Sequence, residues 1–337
     1  MALFFRRSQR TRRGSGADES GTDEGDVSRE TPDDRGESPR RATSSPDGET
    51  YSDGWDLEQE HDDGTPALTL PRPEEPRAFV VVNQKGGVGK TTSTVNIAAA
   101  LAEGGLNVLV VDADPQGNAA TALGVQNHPG VEGTYEVIME GAAIADLAQR
   151  SAHSPNLHVL PATIDLASAE LELVTLPGRE ARLKRAVTQY VQESGVDYIF
   201  FDCPPSLGLL TLNALVAASE IMIPIQCEYY ALEGVSQLMR TIDKVKGNLN
   251  DALRLSTVIL TMFDGRNNLA KDVAREVRQH FSRETLDVEI PRSVRVAEAP
   301  SHGQTVITYQ PMSAGAVAYR AAAKQVALMA YAERQTT

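Results

Sequence analysis

Cysteine and long apolar runs are scarce in this chain of 337 residues. It contains two cysteines, Cys203 and Cys227, which are too few for a disulfide framework and fit a reducing compartment. No apolar stretch reaches the roughly 18 residues that a membrane-spanning helix needs. The first arginines follow only a very short apolar stretch, which is the wrong order for a secretory signal. We therefore expect a cytoplasmic protein without a membrane span.

The first 75 residues have few apolar side chains and an excess of acidic ones. Residues 1–76 carry 19 Asp and Glu and 10 Arg, so their net charge is −9 of the −14 on the whole chain. Such a segment buries too little apolar surface to offset the entropy lost on ordering. The composition predicts a disordered acidic tail over residues 1–75, with a basic start, and a folded domain over residues 76–337. Trp55, the sole tryptophan, lies in this tail, either in a solvated linker or in a short docking motif.

Beyond the tail, apolar β-branched runs alternate with helical patterns. Runs typical of buried strands occur at residues 79–82, 108–111, 157–160, 198–201, 221–225, 256–261 and 286–290. Helical patterns occur near residues 91–103, 166–174, 179–193, 208–218, 230–246, 268–280 and 314–332. This alternation predicts an α/β fold with a mostly parallel twisted sheet and helices on both faces.

A glycine-rich stretch separates the first predicted strand from the first predicted helix. It reads Lys85, Gly86, Gly87, Val88, Gly89, Lys90, Thr91 and Thr92. Backbone N–H groups in such a turn, backed by the positive end of a helix dipole, bind phosphates. Lys90 is expected to reach the β and γ phosphates, and the Thr91 hydroxyl is expected to hold Mg²⁺. The usual pattern has glycine five residues before Gly89, where this chain has Gln84, and the additional lysine Lys85 opens the loop.

Three aspartates lie at or just beyond the ends of two further predicted strands. Asp112 and Asp114 follow the run at 108–111, and Asp202 follows the run at 198–201. Ligands of parallel sheets bind at the carboxyl ends of the strands, so these side chains and the glycine-rich stretch should meet at one edge. Asp202 is placed either to hold Mg²⁺ through water or to cap its strand.

Four segments in this order resemble the ParA/MinD family of dimerising ATPases, whose phosphate loop is called a deviant Walker A motif. They are the glycine-rich stretch, Asp-Ala-Asp-Pro-Gln-Gly-Asn at 112–118, Asp-Cys-Pro-Pro-Ser at 202–206, and the segment 291–303. The last segment, together with residues 264–269, is most similar to the chromosomal ParA (Soj-like) branch. The resemblance covers residues 76–332 and implies a P-loop NTPase that hydrolyses ATP slowly, with Mg²⁺, under stimulation by a partner.

The resemblance also implies roles for individual residues. Asp114 would orient the attacking water, and Asp112 would support Mg²⁺ through its water shell. Lys85 would cross the interface of an ATP-bound sandwich homodimer to the partner's phosphates. Pro291 and Arg292 are expected to be walls of the adenine pocket, although structural turn residues would look the same.

The same resemblance implies a DNA-bound partitioning protein. Arg266 and Arg295 match family positions that contact double-stranded DNA non-specifically, and a ParB-like centromere-binding protein would stimulate hydrolysis on the nucleoid. The folded domain carries a net charge of only −5, so it has no overall basic footprint. Lys271, Arg275 and Arg278 either contribute to a local basic patch or lie on a solvated helix face.

Three other functions fit parts of the sequence. A MinD-like membrane-associated ATPase that positions cell division would end in a basic amphipathic helix, whereas this chain ends with little basic charge. An iron–sulfur ATPase would need matched cysteines, and Cys203 and Cys227 do not have that placement. A nucleotide-dependent scaffold with negligible turnover would be separated from an enzyme by a single-turnover assay.

Overall fold

The computed structural model describes residues 58–60, 66–229 and 231–334. The strands are β1 (Glu58–Glu60), β2 (Pro66–Leu68), β3 (Arg77–Val81), β4 (Val108–Asp112), β5 (Gln149–Arg150), β6 (Leu157–Leu160), β7 (Tyr198–Asp202), β8 (Glu220–Gln226), β9 (Arg254–Phe263) and β10 (Thr285–Pro291). The helices are α1 (Lys90–Glu103), α2 (Asn118–Ala122), α3 (Thr134–Met139), α4 (Ile144–Leu147), α5 (Leu166–Glu172), α6 (Arg182–Ser194), α7 (Leu209–Ala217), α8 (Ala231–Asn248), α9 (Asn268–His280), α10 (Val294–Glu298), α11 (Val306–Tyr309) and α12 (Ala314–Arg334).

An eight-stranded sheet forms the centre of the domain. Its strand order is β10-β9-β8-β3-β7-β4-β6-β5. Neighbouring strands are parallel, except that β5 runs antiparallel to β6 at one edge. The predicted α/β fold with a mostly parallel sheet is confirmed, and each of the seven predicted strand runs belongs to this sheet. Strands β1 and β2 form a separate antiparallel pair.

Helices cover both faces of the sheet. All residues of β4 and β7 are buried, which explains why these strands are continuously apolar rather than alternating. One face packs against α3 to α9 through side chains such as Leu166 and Leu210. The other face packs against α1, α2, α11 and α12 through side chains such as Ile97 and Tyr319.

The carboxyl ends of three central strands lie side by side. The parallel pairing puts Asp202 level with Val81 on β3 and with Asp112 on β4. The segments that follow β3, β4 and β7 therefore begin at one edge of the sheet, as the sequence predicted.

Residues 118–150 hold elements that the sequence pattern did not indicate. Helices α2, α3 and α4 are four to six residues long, and β5 has only two residues. Elements this short contain too few turns or alternations to produce a detectable hydrophobic period. The pattern predicted over 166–174 corresponds to α5 followed by a short 3-10 turn at Leu173–Thr175.

A short segment before β3, the strap (residues 69–72), packs on the amino-terminal edge of the sheet. Leu70 is buried, and its N–H donates to the Gly104 carbonyl beyond α1 at 3.0 Å. The Arg72 guanidinium contacts the Asp197 carboxylate, just before β7, at 2.9 Å. The packed chain thus includes part of the region assigned to the tail. Disorder of residues 1–57 and 61–65, and the role of Trp55, concern positions outside the described residues and stay predictions.

Candidate functional site

The glycine loop (residues 84–89) joins β3 to α1. Gly87 and Gly89 have φ values of +74° and +90°, which side-chain-bearing residues rarely adopt. A Cβ atom added at Gly86 or Gly87 would meet no atom within 4 Å, so this side of the loop is open. Helix α1 begins at Lys90, so its unpaired N–H groups and the positive end of its dipole lie at this open space.

Side chains from neighbouring strand ends hold the glycine loop. The Asn83 amide donates to the Pro224 carbonyl at 2.8 Å and accepts from the Lys85 N–H at 3.0 Å. The Thr261 hydroxyl donates to the Val88 carbonyl at 2.8 Å. Neither residue was predicted from the sequence. Asn83 had a local signal, because Asn before a tight turn often bonds the backbone two residues on, whereas Thr261 is far away in sequence.

Helix α1 is bonded to the end of β7 through its first turns. The Thr91 hydroxyl donates to one Asp202 oxygen at 2.6 Å, and the Thr94 hydroxyl lies 3.2 Å from the other. Thr94 was not predicted, although it lies three residues after Thr91 and therefore on the same face of the helix. Thr92, the last predicted residue of the phosphate site, lies half-buried in the same turn.

Asp112 and Asp202 form a pair of fully buried carboxylates at adjacent strand ends. Asp112 accepts from the N–H of Asp114 at 3.2 Å and from the N–H of Ala120 at 3.0 Å. Burial, together with the charge of Asp202, holds the pKa of Asp112 well above its usual range. Burial likewise raises the pKa of Asp202 to about 7, against the hydrogen bond from Thr91. A divalent cation at this position would stabilise the ionised carboxylates against both the burial and the nearby negative charges that raise their pKa values.

Lys90 and Asp114 lie near the buried carboxylates and form one charged cluster with them. Lys90 is buried, which lowers its pKa even though Asp202 and Asp114 act to raise it. Asp114 is half-buried in the turn after β4, where one of its carboxylate oxygens accepts from the Gln116 N–H at 3.0 Å. The structure therefore brings together Lys90, Thr91, Asp114 and Asp202, as the sequence predicted.

Lys85 lies apart from this cluster. Its Nζ contacts the Glu228 carboxylate, just beyond β8, at 2.7 Å. Both side chains are about half exposed. In the single chain, Lys85 is thus bonded to a residue of its own subunit, and Glu228 had not been singled out from the sequence.

Pro291 and Arg292 lie at the carboxyl end of β10, beside the end of β9. Pro291 is level with Phe263, and the Arg292 N–H donates to the Phe263 carbonyl at 3.1 Å. Met262, one residue earlier, has a φ of +52°, alone among the non-glycine residues that the structure describes. Such strained backbone is concentrated at ligand sites. An adenine-pocket role for Pro291 and Arg292 stays a prediction.

The two arginines predicted to contact DNA are exposed and carry intramolecular partners. Arg266 forms an ion pair with Asp264 at 3.0 Å and is 93% exposed. Arg295 pairs with Glu298 at 3.0 Å and is 56% exposed. The wider basic patch is interrupted by acids, since Arg275 pairs with Asp272, and Arg278 with Glu289.

The donor set fits a nucleoside triphosphate with a divalent cation. The glycine loop and the first turn of α1 present N–H groups to phosphate, and Lys90 supplies a cation beside them. Thr91, Asp112 and Asp202 supply the hydroxyl and carboxylate oxygens that Mg²⁺ prefers. The fold and this site together define a phosphate-loop nucleotide-binding protein.

Comparison with known proteins identifies the family. A sequence profile described as an AAA domain matches residues 77–255. The chain is 49% identical to the sporulation initiation inhibitor protein Soj of Bacillus subtilis over 251 residues, or 74% of this chain and 98% of that one. It is 46% identical to the chromosome partitioning protein ParA of Caulobacter vibrioides over 250 residues, or 74% and 93%. The chain belongs to the ParA/Soj family of P-loop ATPases, as its motifs indicated.

A solved structure supports the fold and the ligand class. Cobyrinic acid a,c-diamide synthase from Mycobacterium smegmatis, with bound ADP and magnesium, matches with a TM-score of 0.64 and 37% identity over 74% of this chain and 94% of that one.

Among the residues that the structure describes, no helix is both long and apolar enough to cross a membrane.

Proposed function

We propose that this chain is a chromosome-partitioning ATPase that uses ATP and Mg²⁺. ATP binding closes a sandwich homodimer, the dimer binds double-stranded DNA of the nucleoid non-specifically, and a ParB-like protein stimulates hydrolysis and release. The observation that carries the proposal is the convergence of Lys90, Thr91, Asp114 and Asp202 beside the open glycine loop. The names of the relatives, Soj and ParA, support the biological setting.

Each side chain of the cluster has a role in this proposal. Lys90 binds the β and γ phosphate oxygens, and Thr91 and Asp202 hold Mg²⁺, which neutralises phosphate charge when it is bound. Asp112 orients water around the cation. Asp114, at the mouth of the cluster, accepts a hydrogen bond from the attacking water and so aims its oxygen at the γ phosphorus. Phosphoryl transfer depends mostly on such positioning and charge neutralisation.

Lys85 makes hydrolysis depend on dimerisation in this proposal. Its exposed side chain exchanges Glu228 for the phosphates of the partner subunit. The DNA-binding function is assigned to Arg266, in the loop after β9, and to Arg295, in α10 after β10, and both side chains are more than half exposed. Arginine contacts to phosphate carry no base information, so binding is independent of sequence.

Two variants separate nucleotide binding from turnover. Lys90→Ala should lose most of its affinity for a fluorescent ATP analogue, because it removes the cation nearest the phosphates. Asp114→Ala should bind the analogue normally and accumulate as a dimer with ATP, because it loses only the positioning of water. Light scattering gives the mass and phosphate release gives the rate. Near-normal binding by Lys90→Ala, or wild-type hydrolysis by Asp114→Ala, contradicts these roles.

The partitioning function is tested by DNA binding in three nucleotide states. DNA retention should be strong with ATP and weak with ADP or without nucleotide. A ParB-like partner should raise phosphate release and lower retention together. Retention that is the same in all three states would refute the nucleotide-controlled DNA cycle.

A further inference from the structure

The loop after β7 is bonded to α5, a helix that lies outside the sequence motifs of the nucleotide site. This loop (residues 203–208, the post-β7 loop) connects Asp202 to the N-terminus of α7. The Glu170 carboxylate on α5 accepts hydrogen bonds from the N–H of Leu209 at 2.8 Å and from the N–H of Leu210 at 3.2 Å. A carboxylate at this position satisfies N–H groups that have no partner inside the helix, and it interacts favourably with the helix dipole.

Side chains pack at this junction but leave it partly open. Leu207 and Leu209 pack against the core, and with Gly208 they line a cavity of about 460 Å³ between α5, α7 and α8. The Thr211 hydroxyl donates to the Ser206 carbonyl at 2.7 Å, but that bond joins the loop only to its own helix. Glu170 adds a hydrogen-bonded connection from the end of the post-β7 loop to a separate element.

Helix α5 is also connected to the end of β4. The Tyr135 hydroxyl on α3 donates to Glu172 on α5 at 3.0 Å. The neighbouring Thr134 hydroxyl donates to the Asp112 carbonyl at 2.6 Å. A chain of hydrogen-bonded elements therefore runs from Asp112 through α3 and α5 to the post-β7 loop, whose other end is Asp202.

Gly208 leaves the space that the Glu170 carboxylate occupies. A Cβ atom at position 208 would lie 2.4 and 2.6 Å from the two Glu170 carboxylate oxygens. The backbone of Gly208, with φ −83° and ψ −166°, is one that any residue adopts. A Cβ atom here would displace the Glu170 carboxylate, so the absence of a side chain at Gly208 permits the close approach of Glu170.

We propose that Glu170 is a positioning residue for ATP hydrolysis. By capping α7 it fixes the post-β7 loop, and so holds Asp202 in place relative to Asp114 and the glycine loop. This inference rests on the proposed ATPase function. Replacing Glu170 should change ATP turnover and not ATP binding, because the glycine loop and Lys90 bind the phosphates without Glu170.

The first test compares turnover at saturating ATP with the KM for ATP. Glu170→Ala should lower kcat roughly fivefold, the rate equivalent of losing a helix cap worth about 1 kcal/mol, and should change KM less than about twofold. Glu170→Gln, which keeps an acceptor oxygen, should restore most of the rate. Glu193→Ala, an exposed glutamate on α6 that takes no part in this chain of hydrogen bonds, is the matched control and should keep wild-type turnover.

The second test uses the collision at position 208. Gly208→Ala should lower kcat as Glu170→Ala does, because its methyl group displaces the carboxylate. The double variant Glu170→Ala/Gly208→Ala should be no slower than Glu170→Ala, since both changes remove one interaction. Wild-type turnover in Glu170→Ala, or a further loss of rate in the double variant, overturns the inference.

Hydrogen exchange supplies a readout that does not depend on activity. The amides of Leu209 and Leu210 should exchange faster in Glu170→Ala and Gly208→Ala than in the wild type, whereas those of α6 should not change. Unchanged exchange overturns the inference. A wild-type protein that shows no turnover with ATP, DNA and partner would refute the proposed function instead, and exchange would then decide the role of Glu170 by itself.

Discussion

At the residue scale, Lys85 has two competing partners, Glu228 in its own subunit and, in the proposed function, the phosphates bound by the other subunit. The structure bonds it to Glu228 of the same subunit, whereas the proposed function needs it at the phosphates of another subunit. Both side chains are about half exposed, and ion pairs of this kind stabilise by about 0–1 kcal/mol. Glu228 therefore competes for Lys85 weakly enough to be displaced by a triphosphate.

We predict that Glu228→Gln favours the ATP-bound dimer. Removing the competing charge from both subunits should lower the protein concentration for half-dimerisation by up to about 30-fold, the equivalent of about 1 kcal/mol for each of the two ion pairs. Light scattering with ATP, in an Asp114→Ala background that slows hydrolysis, measures the effect. The gain should vanish when Lys85 is also replaced by Ala. A gain that persists without Lys85 would show that Glu228 acts through another residue.

We predict that Arg295→Ala halves the salt dependence of DNA binding. A dimer with two copies of Arg266 and Arg295 makes four phosphate contacts, which implies a log–log slope of roughly −3.6, and losing two contacts leaves about −1.8. DNA retention against salt measures the slope, and ATP-dependent dimerisation should survive. Glu298→Gln is the matched control, because it frees Arg295 from its partner at 3.0 Å and should strengthen retention. Wild-type DNA binding by Arg295→Ala would remove this residue from the interface.

At the scale of elements, a buried ion pair fastens three of them together. The Arg77 guanidinium on β3 makes two hydrogen bonds of 2.6 Å to Glu220 on β8, and a third of 2.7 Å to the Val326 carbonyl on α12. Burial by itself would raise the pKa of Glu220, but the hydrogen bonds and charge of Arg77 outweigh it and lower the pKa below its ordinary 4.5. The pair fixes the register of β3 against β8 and seats the last helix.

We predict that Glu220→Gln costs roughly 3–5 kcal/mol of unfolding free energy near pH 7, because it leaves Arg77 buried without a counter-charge. A carboxyl whose folded pKa is lowered stabilises the fold above its unfolded pKa, and loses that contribution as pH falls through the folded pKa. The difference between wild type and variant should therefore shrink below about pH 4.5. Urea unfolding at several pH values measures it. Glu103→Gln, which breaks the more exposed pair with Arg320, is the control and should cost under about 1 kcal/mol. Equal losses in the two variants would contradict the role given to burial.

The long elements were predictable, and the short ones were not. Central strands such as β4 and β7 are buried on both faces, so a continuous apolar run identified them. Helix α9 carries one apolar stripe with Asn267 as its N-cap, and its bounds match the prediction. The segment between α2 and β5 packs through helices of only four and six residues and through contacts such as that of Thr134 with the Asp112 carbonyl, which leave no detectable period in the sequence.

The site was predictable where its residues are contiguous in sequence or follow a strand. Lys90, Thr91, Asp114 and Asp202 belong to such segments. Thr261 contacts the glycine loop and Glu170 contacts the start of α7 from elements that are distant in sequence, and only the tertiary fold shows these contacts.

At the scale of the whole molecule, the strap attaches the chain before β3 to the sheet domain. Leu70 is 5% exposed and lies against Gly104, where an added Cβ would come within 2.6 Å of the leucine side chain. Arg72 adds its contact with the buried carboxylate of Asp197. These contacts lie at the amino ends of the strands, opposite the glycine loop.

We predict different outcomes for two N-terminal truncations. Removing residues 1–69 should leave the unfolding free energy unchanged, whereas removing residues 1–75 should lower it by about 2–3 kcal/mol through loss of buried Leu70. Neither truncation should slow ATP hydrolysis at a temperature where both are folded. Thermal unfolding and phosphate release measure these effects.

The same truncations test the acidic charge of the N-terminal region. Residues 1–76 carry a net charge of −9, which competes with DNA phosphates for the arginines, so truncation should strengthen DNA retention at low salt. Equal stability of the two truncations would contradict the role of Leu70. Weaker retention would show that the basic start, from Arg6 to Arg13, contacts DNA.

The position of the strap also has a consequence for valency. In the proposed dimer the two nucleotide edges face each other, so the two Leu70 positions lie on the outer sides. A binding protein that recognises the residues before the strap would then meet two copies of its target per dimer. On a surface coated with that protein, retention of the chain should increase with ATP through avidity alone.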